Sequence, residues 1–257
     1  MEKEERYWAL IVGGGSGLGL ASALQLARDG YHIAIVHRTR RALLPDLEGA
    51  LDKMKGAGAR VLAYNKDGLN QENIDMVTTE LPLGKVKVLI HSIAKGSLRS
   101  MVGDDNEALT ATDLSITLQA MGYNWYEWVR SLFKEGRFAE DTRNMAFTSE
   151  GNLKVWPGYG AVSAAKAVLE STMRQMAVEF APSGIKTNCI QAGVTETDSF
   201  KMIPGSEQLA ALAARRNPFG RLTTPQDIAN VVSMLASDKA GWINGSVIKA
   251  DGGEQLR

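Results

Sequence analysis

Short apolar runs with the character of strands alternate with helix-like segments along the chain, and this alternation limits the fold more than any other feature. The strand-like runs lie at residues 7–12, 32–36, 60–64, 86–91, 144–149, 185–191 and 245–250. Near-continuous apolar strands separated by helices are typical of a parallel sheet that is covered on both faces. The sequence therefore predicts an α/β fold with a doubly wound sheet of seven mainly parallel strands.

Size and composition fit one globular unit. The chain has 257 residues, of which 44% are hydrophobic and 23% are charged. We find no internal repeat or linker, so we expect a single domain over residues 1–257. The formal net charge is zero, which gives no indication of a nucleic-acid partner. Cys189 is the one cysteine, which excludes an intrachain disulfide, and the three histidines lack the spacing of metal ligands.

The N-terminal sequence predicts the cellular location. It is charged and runs directly into the first strand, without the longer apolar run of a signal peptide. No stretch approaches the length of a membrane span. We therefore expect a cytoplasmic protein without a membrane partner.

Helical periodicity is clearest at 114–132, where Leu114, Leu118, Met121, Trp125, Trp128 and Leu132 recur at alternating spacings of four and three. Two irregular stretches, 94–110 and 192–207, follow the fourth and sixth strands. Open α/β sheets bind ligands at the carboxyl ends of their strands. We therefore predict functional loops there, with a substrate loop at about 192–215.

A glycine-rich turn joins the first strand to the first helix. It reads VGGGSGLG, with Gly13, Gly17 and Gly19 spaced as G-x3-G-x-G. Glycine permits positive φ angles and close approach of the backbone, and the following helix N-terminus attracts a pyrophosphate. This turn predicts a Rossmann-type dinucleotide site, although a tight turn without a ligand has the same glycines.

Arg38 lies at the end of the second strand, where an NAD site carries an acid for the ribose 2′-hydroxyl. Arginine instead suits a 2′-phosphate through forked, charge-assisted bonds. The sequence therefore favours NADPH as the cofactor, although a solvated basic helix start is the alternative. We expect the neighbouring His37 to be exposed and without a role.

These motifs resemble the short-chain dehydrogenase/reductase family over essentially the whole chain. Besides the glycine turn, KDGL (66–69), HSIAKG (91–96), IQAGVTET (190–197) and WINGSVIKADGG (242–253) resemble family motifs. The resemblance implies a cofactor site formed by Gly13, Ser16, Gly17, Leu18, Gly19, Arg38, Thr39, Asp67, Gly68, Ser92, Ile93, Ala94, Lys166, Gly193, Thr195 and Thr197. It also places Lys166 on the catalytic lysine and Ser149 on the catalytic serine of the family.

The expected tyrosine four residues before Lys166 is missing, because that position holds Val162. Tyr159 stands seven residues before the lysine, and on a helix both spacings fall on the lysine's face, roughly 40° and 20° away from it. Tyr-x6-Lys resembles the enoyl-acyl-carrier-protein reductases, and HSIA at 91–94 supports this. The resemblance implies Tyr159 and Lys166 as catalytic residues, with Lys166 favouring the phenolate form of the tyrosine. Alternatively, Tyr159 only packs at a helix start.

The match to enoyl reductases has departures that leave alternatives open. Ser149 occupies the place of the second tyrosine that many of these enzymes have ten residues before the catalytic one. The glycine turn and the C-terminal motif also resemble 2,4-dienoyl-CoA reductases. A carbonyl reductase and a catalytically silent NADPH-binding sensor complete the alternatives. The leading hypothesis is NADPH-dependent reduction of the 2,3 double bond of an enoyl thioester in fatty-acid biosynthesis.

The resemblance also implies partners. We expect an acyl thioester of acyl carrier protein or CoA, no metal, and a homo-oligomer, commonly a tetramer. The apolar residues Trp156, Phe200, Met202 and Ile203 suit an acyl chain, and they suit a core or lid equally well. Arg215 and Arg216 are expected either to face the carrier or to form a solvated helix end.

Overall fold

The computed structural model describes residues 6–104 and 107–257. The strands are β1 (Trp8–Val12), β2 (His32–His37), β3 (Val61–Asn65), β4 (Val86–His91), β5 (Phe138–Thr148), β6 (Ile185–Ala192) and β7 (Val247–Ala250). The helices are α1 (Gly17–Arg28), α2 (Leu44–Gly56), α3 (Gln71–Glu80), α4 (Ala111–Leu118), α5 (Asn124–Lys134), α6 (Gly160–Glu179), α7 (Asp198–Lys201), α8 (Ser206–Arg216) and α9 (Pro225–Ala236).

The described strands form one parallel sheet in the order β3-β2-β1-β4-β5-β6-β7. β1 and β2 are buried along their whole length, because helices cover both faces. The predicted fold class is confirmed. The strand order reverses between β1 and β4, and such a reversal opens a crevice at the carboxyl ends of the strands.

Two large apolar clusters lie on opposite faces of the sheet. One packs Leu26, Met54 and Val232 from α1, α2 and α9 against Ile11 and Ile35. The other contains side chains of α3, α5 and α6, among them Ile74, Trp125, Trp128, Leu169 and Met173. Since α6 packs in the second cluster and carries Lys166, this cluster fixes the helix of the candidate catalytic lysine.

Two elements differ from the sequence prediction. β5 begins at Phe138, whereas the sequence predicts a start at 144. The prediction misses the first half of this strand because its charged residues interrupt the apolar pattern. One of them, Arg143, is fully buried and pairs with Asp141. The predicted helix at 114–132 is interrupted by a π-helical turn at Gln119–Tyr123 between α4 and α5. Met121, Trp125, Trp128 and Leu132 are buried as the periodicity predicts.

No helix among the described residues has the length and apolar character needed to cross a membrane. Within the same residues, no three His, Cys, Asp or Glu side chains form a cluster suited to a metal ion.

Candidate active site at the carboxyl ends of the strands

The glycine turn lies between β1 and α1. Gly13 and Gly17 have φ angles of 91° and 54°, which favour glycine. A Cβ on Gly13 would lie 2.5 Å from the Ser92 carbonyl oxygen, and a Cβ on Gly19 would lie 2.4 Å from the Gly13 oxygen. The turn therefore crosses the ends of β1 and β4 at a distance that only glycine allows.

The start of α1 is suited to an anion. The first-turn N–H groups, including that of Leu18, have no partner within the helix. Ser16, the residue that precedes the helix, is exposed and its side chain makes no capping bond to these groups. Uncapped N–H groups and the helix dipole attract negative charge. These residues therefore fit the pyrophosphate of a dinucleotide.

Arg38 and Asp67 meet beyond the ends of β2 and β3. The Arg38 Nη1 donates to Asp67 Oδ2 at 3.1 Å, and the arginine side chain is 60% exposed. Nothing in the sequence anticipates this ion pair. Thr39 lies beside it, where its Oγ1 is 3.0 Å from the His37 Nδ1. His37 is buried, not exposed as expected, and burial lowers its pKa.

Gly68 is buried and its carbonyl is already used. It accepts bonds from the Asn124 Nδ2 at 3.1 Å and the Trp128 Nε1 at 3.0 Å. The same Asn124 lies 3.2 Å from the Nε2 of His91. Burial, with a smaller effect of the Lys166 charge, lowers the pKa of His91 to about 3. Asn124, which no sequence motif marks, thus fixes the neutral His91 at the end of β4.

The loop after β4 contributes Ser92, Ile93 and Ala94. The Ser92 backbone N–H donates to the Val12 oxygen at 2.7 Å, which fixes the loop beside the glycine turn. Ser92 and Ile93 are half-buried, and Ala94 is exposed. Further along, residues 105–106 of the predicted functional loop lie outside the described residues.

The loop after β6 carries Gly193, Thr195 and Thr197. The Thr195 Oγ1 donates to the Gly193 oxygen at 2.9 Å. Thr197 caps α7 by accepting the Phe200 N–H at 3.2 Å. A Cβ on Gly17 would lie 3.3 Å from the Thr197 Cγ2, so this loop reaches the glycine turn. The structure therefore brings the predicted cofactor residues of β1, β4 and β6 to one edge of the sheet.

The candidate catalytic residues come from β5 and α6. Ser149 follows β5, and its Oγ lies 3.5 Å from the Tyr159 hydroxyl. Tyr159 is the residue immediately before α6, so it stands at the cap rather than inside the helix. Gly158 reaches a φ of 76°, and this irregular turn presents the tyrosine towards Ser149.

Tyr159 retains its proton at neutral pH. Burial raises the pKa of Tyr159, and the hydrogen bond with Ser149 offsets only part of this effect. The causes of the raised pKa are burial and, opposing it, the Ser149 bond, and their net effect favours the protonated hydroxyl over the phenolate. The pair can therefore donate a proton.

Lys166 is buried on α6, and its Nζ donates to the Phe147 carbonyl at 2.8 Å. Burial lowers the pKa of Lys166 to about 8, with smaller opposing effects of Cys189 and Glu170. The bond to Phe147 places the ammonium group at the end of β5, the strand that leads to Ser149.

Val162 occupies the position four residues before the lysine and is buried in a small apolar cluster with Ala120, Met121 and Ala165. Tyr159 packs against the edge of this cluster. A Cβ on Gly96 would lie 3.0 Å from the Val162 Cγ2, so the loop after β4 presses on the valine. The usual tyrosine position is therefore filled by apolar packing.

Two glycines allow close packing at Tyr159 and at the residue that follows it. A Cβ on Gly151 would lie 2.4 Å from the Tyr159 Cε1, and a Cβ on Gly160 would lie 2.6 Å from the Met101 Cε. No sequence pattern singles out these glycines, since only the tertiary contact explains them. Of the predicted acyl-chain residues, Trp156, Phe200 and Ile203 are half-buried and Met202 is exposed.

Arg216 differs from both expectations stated for it. Its Nη2 donates to Glu150 at 2.6 Å and lies 3.3 Å from the Glu254 carboxylate. It is neither a solvated helix end nor open to a carrier, whereas the neighbouring Arg215 is exposed. No local sequence signal marks this cluster, because its residues are far apart in the chain.

Comparisons with known proteins identify the family. The family model described as Enoyl-(Acyl carrier protein) reductase matches residues 13–255. The 1-cyclohexenylcarbonyl-CoA reductase of Streptomyces collinus is 26% identical over 97% of this chain and 87% of its own. Short chain dehydrogenase claC of Passalora fulva is 30% identical over 95% of this chain and 93% of its own.

Solved structures show the same architecture. The enoyl-[acyl-carrier-protein] reductase (NADH) of Aquifex aeolicus VF5 superposes with a TM-score of 0.81 at 26% identity, over 98% of both chains. The family match covers nearly the whole chain. The glycine turn precedes α1, Ser149 and Tyr159 form a hydroxyl pair after β5, and Lys166 donates to the Phe147 carbonyl of β5, so all lie on the carboxyl side of the sheet. This protein therefore belongs to the short-chain dehydrogenase/reductase family of oxidoreductases.

Proposed function

We propose that this protein reduces the 2,3 double bond of an enoyl thioester with NADPH. The observation that carries the proposal is the Ser149–Tyr159 hydroxyl pair at 3.5 Å, together with Val162 in the usual tyrosine position. A ketone reductase needs its acid beside the carbon that accepts hydride. An enoyl reductase needs its proton donor at the thioester oxygen, whose carbonyl carbon is two carbons away from the β carbon that accepts hydride. A displaced tyrosine suits this longer distance.

The side chains have distinct tasks in this proposal. NADPH, when bound, supplies the hydride that is added to the β carbon. Tyr159 binds the thioester oxygen and stabilises the enolate charge that develops there. Ser149 orients the tyrosine hydroxyl, and Lys166 binds the nicotinamide ribose from its place beside β5. Tyr159 keeps its proton at neutral pH and would donate it to the enolate oxygen, and transfer of a proton to the α carbon would complete the saturated thioester.

The choice of NADPH over NADH rests on Arg38. The Aquifex reductase, by contrast, is named as an NADH enzyme. Arg38 here stands beyond β2 and is exposed enough to leave Asp67 for a 2′-phosphate. Asp67 would then be free to bind the adenine.

The acyl carrier is acyl carrier protein or CoA. The Streptomyces relative is named for an acyl-CoA whose acyl group contains a double bond. The exposed apolar residues Met101, Val102, Leu153, Val155 and Met202 lie on the loops after β4, β5 and β6 and suit an acyl chain. We also propose a homo-tetramer, which light scattering of the purified protein tests.

The test follows NADPH oxidation by absorbance with three thioesters in parallel: a trans-2-enoyl, a 2,4-dienoyl and a 3-ketoacyl. The proposal expects turnover of the enoyl substrate and a loss of about 10²-fold or more in Tyr159→Phe. Tyr126→Phe is the matched control, because Tyr126 is exposed on α5.

Other outcomes have definite meanings. Turnover of the ketoacyl substrate alone contradicts the enoyl assignment. Turnover of the dienoyl substrate alone moves the protein to the dienoyl reductases. Tight NADPH binding without turnover of any of the three supports a sensor.

A further inference from the structure

The segment between β6 and α9 leaves the sheet near Thr195 and returns to the same place near Thr223. We call this segment the excursion. Thr195 and Thr223 pair as an isolated parallel bridge, and the Thr223 N–H donates to the Val194 oxygen at 3.1 Å. The residues between them, which include α7 and α8, leave the sheet and return to the same point. Segments at the carboxyl ends of strands often carry binding residues, and many enzymes close such segments over the substrate.

The excursion spans the candidate site. Near its start, Thr197 reaches the glycine turn at Gly17. In its middle, a Cβ on Gly205 would lie 3.9 Å from the Trp156 ring, in the loop that leads to Tyr159. The excursion therefore bridges the cofactor end and the tyrosine end of the site.

α8 has little apolar anchorage of its own. Ala213 is the buried residue among those of Ser206–Arg216. Elements with few buried apolar contacts open at low free-energy cost. Polar contacts at the C-terminal end of α8 therefore contribute to its position.

Two neighbouring residues make those contacts. The buried Asn217, which follows α8, donates its Nδ2 to the Asp251 carbonyl at 2.9 Å, and the other residue is Arg216, the last residue of α8. Its Nη2 bridges the carboxylates of Glu150 and Glu254, at 2.6 Å and 3.3 Å. Glu150 directly follows Ser149 in the chain. We call Glu150, Arg216 and Glu254 the Arg216 junction.

Glu254 extends the junction to the loop after β6. Its side chain is 2% exposed, and its Oε2 accepts the Val194 N–H at 3.1 Å. A Cβ on Gly193 would lie 3.0 Å from the same oxygen. The Arg216 guanidinium thus joins α8 to Glu150 directly and, through Glu254, to the Val194 backbone.

We propose that Arg216 is a positioning residue that holds α8 closed over the site and fixes Ser149 and the Val194 backbone relative to each other. The inference rests on the proposed function only for the identity of the substrate beneath α8. Arg216 touches no reacting atom in this scheme. Its effect passes through Glu150 to Ser149 and through Glu254 to Val194.

The first experiment measures hydrogen exchange of α8 by mass spectrometry without substrate. Arg216→Met keeps the length of the side chain and removes its charge. We expect peptides of α8 and of residues 193–197 to exchange about tenfold faster or more, since hydrogen bonds to charged groups are lost. Arg215→Met is the matched control, with the same chemical change one residue earlier at an exposed position, and it should match wild type.

Arg216→Lys separates charge from general disruption. Both contacts come from one nitrogen, so a lysine ammonium can bridge the two carboxylates and should restore most of the protection. Unchanged exchange in Arg216→Met overturns the proposal. So does equal loss of protection in the Lys and Met variants, or faster exchange spread evenly over the sheet, since each indicates a structural role alone.

Kinetics supply the second readout, with whichever thioester the wild type reduces. Opening of α8 should raise KM by about tenfold or more. NADPH binding, followed by fluorescence, should weaken by a smaller factor, because residues 193–197 loosen while the glycine turn and Arg38 keep their positions. Equal losses in NADPH binding and KM overturn the proposal. Because exchange needs no substrate, failure of the enoyl assignment and failure of this proposal give separate results.

Discussion

Replacing Gly151 by alanine should displace Tyr159 without unfolding the protein. The added Cβ would lie 2.4 Å from the ring Cε1, 2.9 Å from Cδ1 and 3.3 Å from Cζ. Ordinary contacts begin at 3.4 Å, so the ring must move by about 1 Å. Gly151 does not have a positive φ, so alanine fits its backbone.

A shift of this size is large for a catalytic group. Misplacement by about 1 Å can cost about 10²-fold in rate, because the proton donor no longer meets the oxygen in the reacting geometry. We therefore expect kcat for the enoyl thioester to fall about 10²-fold in Gly151→Ala. Affinity for NADPH should stay near that of wild type, since the glycine turn and Arg38 are not involved.

The assay combines steady-state kinetics, fluorescence titration with NADPH and a thermal melt. Gly49→Ala on α2 is the control, because nothing lies within 4 Å of the added Cβ and alanine favours a helix. Wild-type turnover in Gly151→Ala would refute the view that the position of Tyr159 limits the reaction. A melting temperature of Gly151→Ala far below that of the control would show that the added methyl group destabilises the fold rather than moving Tyr159 alone.

Three further predictions concern the cofactor, a buried lysine and an ion pair. Arg38→Gln should weaken NADPH binding about 10- to 100-fold and leave NADH binding unchanged, as measured by fluorescence titration; equal losses for both would contradict a 2′-phosphate contact. Burial lowers the pKa of Lys166 from 10.5 to about 8, so the unfolded state binds an additional proton between these values. The free energy of unfolding of wild type should therefore rise with pH across that window relative to Lys166→Met, in urea titrations at several pH values. Burial acts to raise the pKa of Asp141, but bonds led by Arg143 lower it to about 2, so its stabilisation is present above pH about 4 and is lost as pH falls towards 2. Asp141→Asn should cost about 1–3 kcal/mol at pH 7 because Arg143 is buried, whereas the exposed Asp52→Asn should cost less than about 1 kcal/mol in the same urea titration.

The strands could be predicted because burial on both faces demands continuous apolar runs. β1, β2, β4 and β6 begin and end within about two residues of the predicted limits. β5 is the exception. Its first half carries charges that only become compatible with a strand once Arg143 finds Asp141 and the Ser237 carbonyl.

Part of the candidate site could also be predicted, because some of its residues form local sequence patterns. A glycine turn after a strand is a local pattern, so Gly13, Gly17 and Gly19 can be found from their spacing. Lys166 is identified through the resemblance to the family, because a lysine on a helix has no distinguishing local pattern. The proximity of Ser149 and Tyr159 follows from the turn at Gly158, which places the tyrosine before α6 rather than within it. Helical spacing alone describes a different geometry.

What the sequence by itself determined is the order of strands and helices and the residue types at their ends, because periodicity and glycine conformation are local properties. Only the tertiary structure decided which distant groups meet: Gly151 with Tyr159, Arg38 with Asp67, and Arg216 with Glu150 and Glu254. Such pairs depend on the paths of separate loops across one edge of the sheet. A charged residue on a helix carries no local mark of its partner, because attraction between charges depends on distance in space and not on separation in the chain.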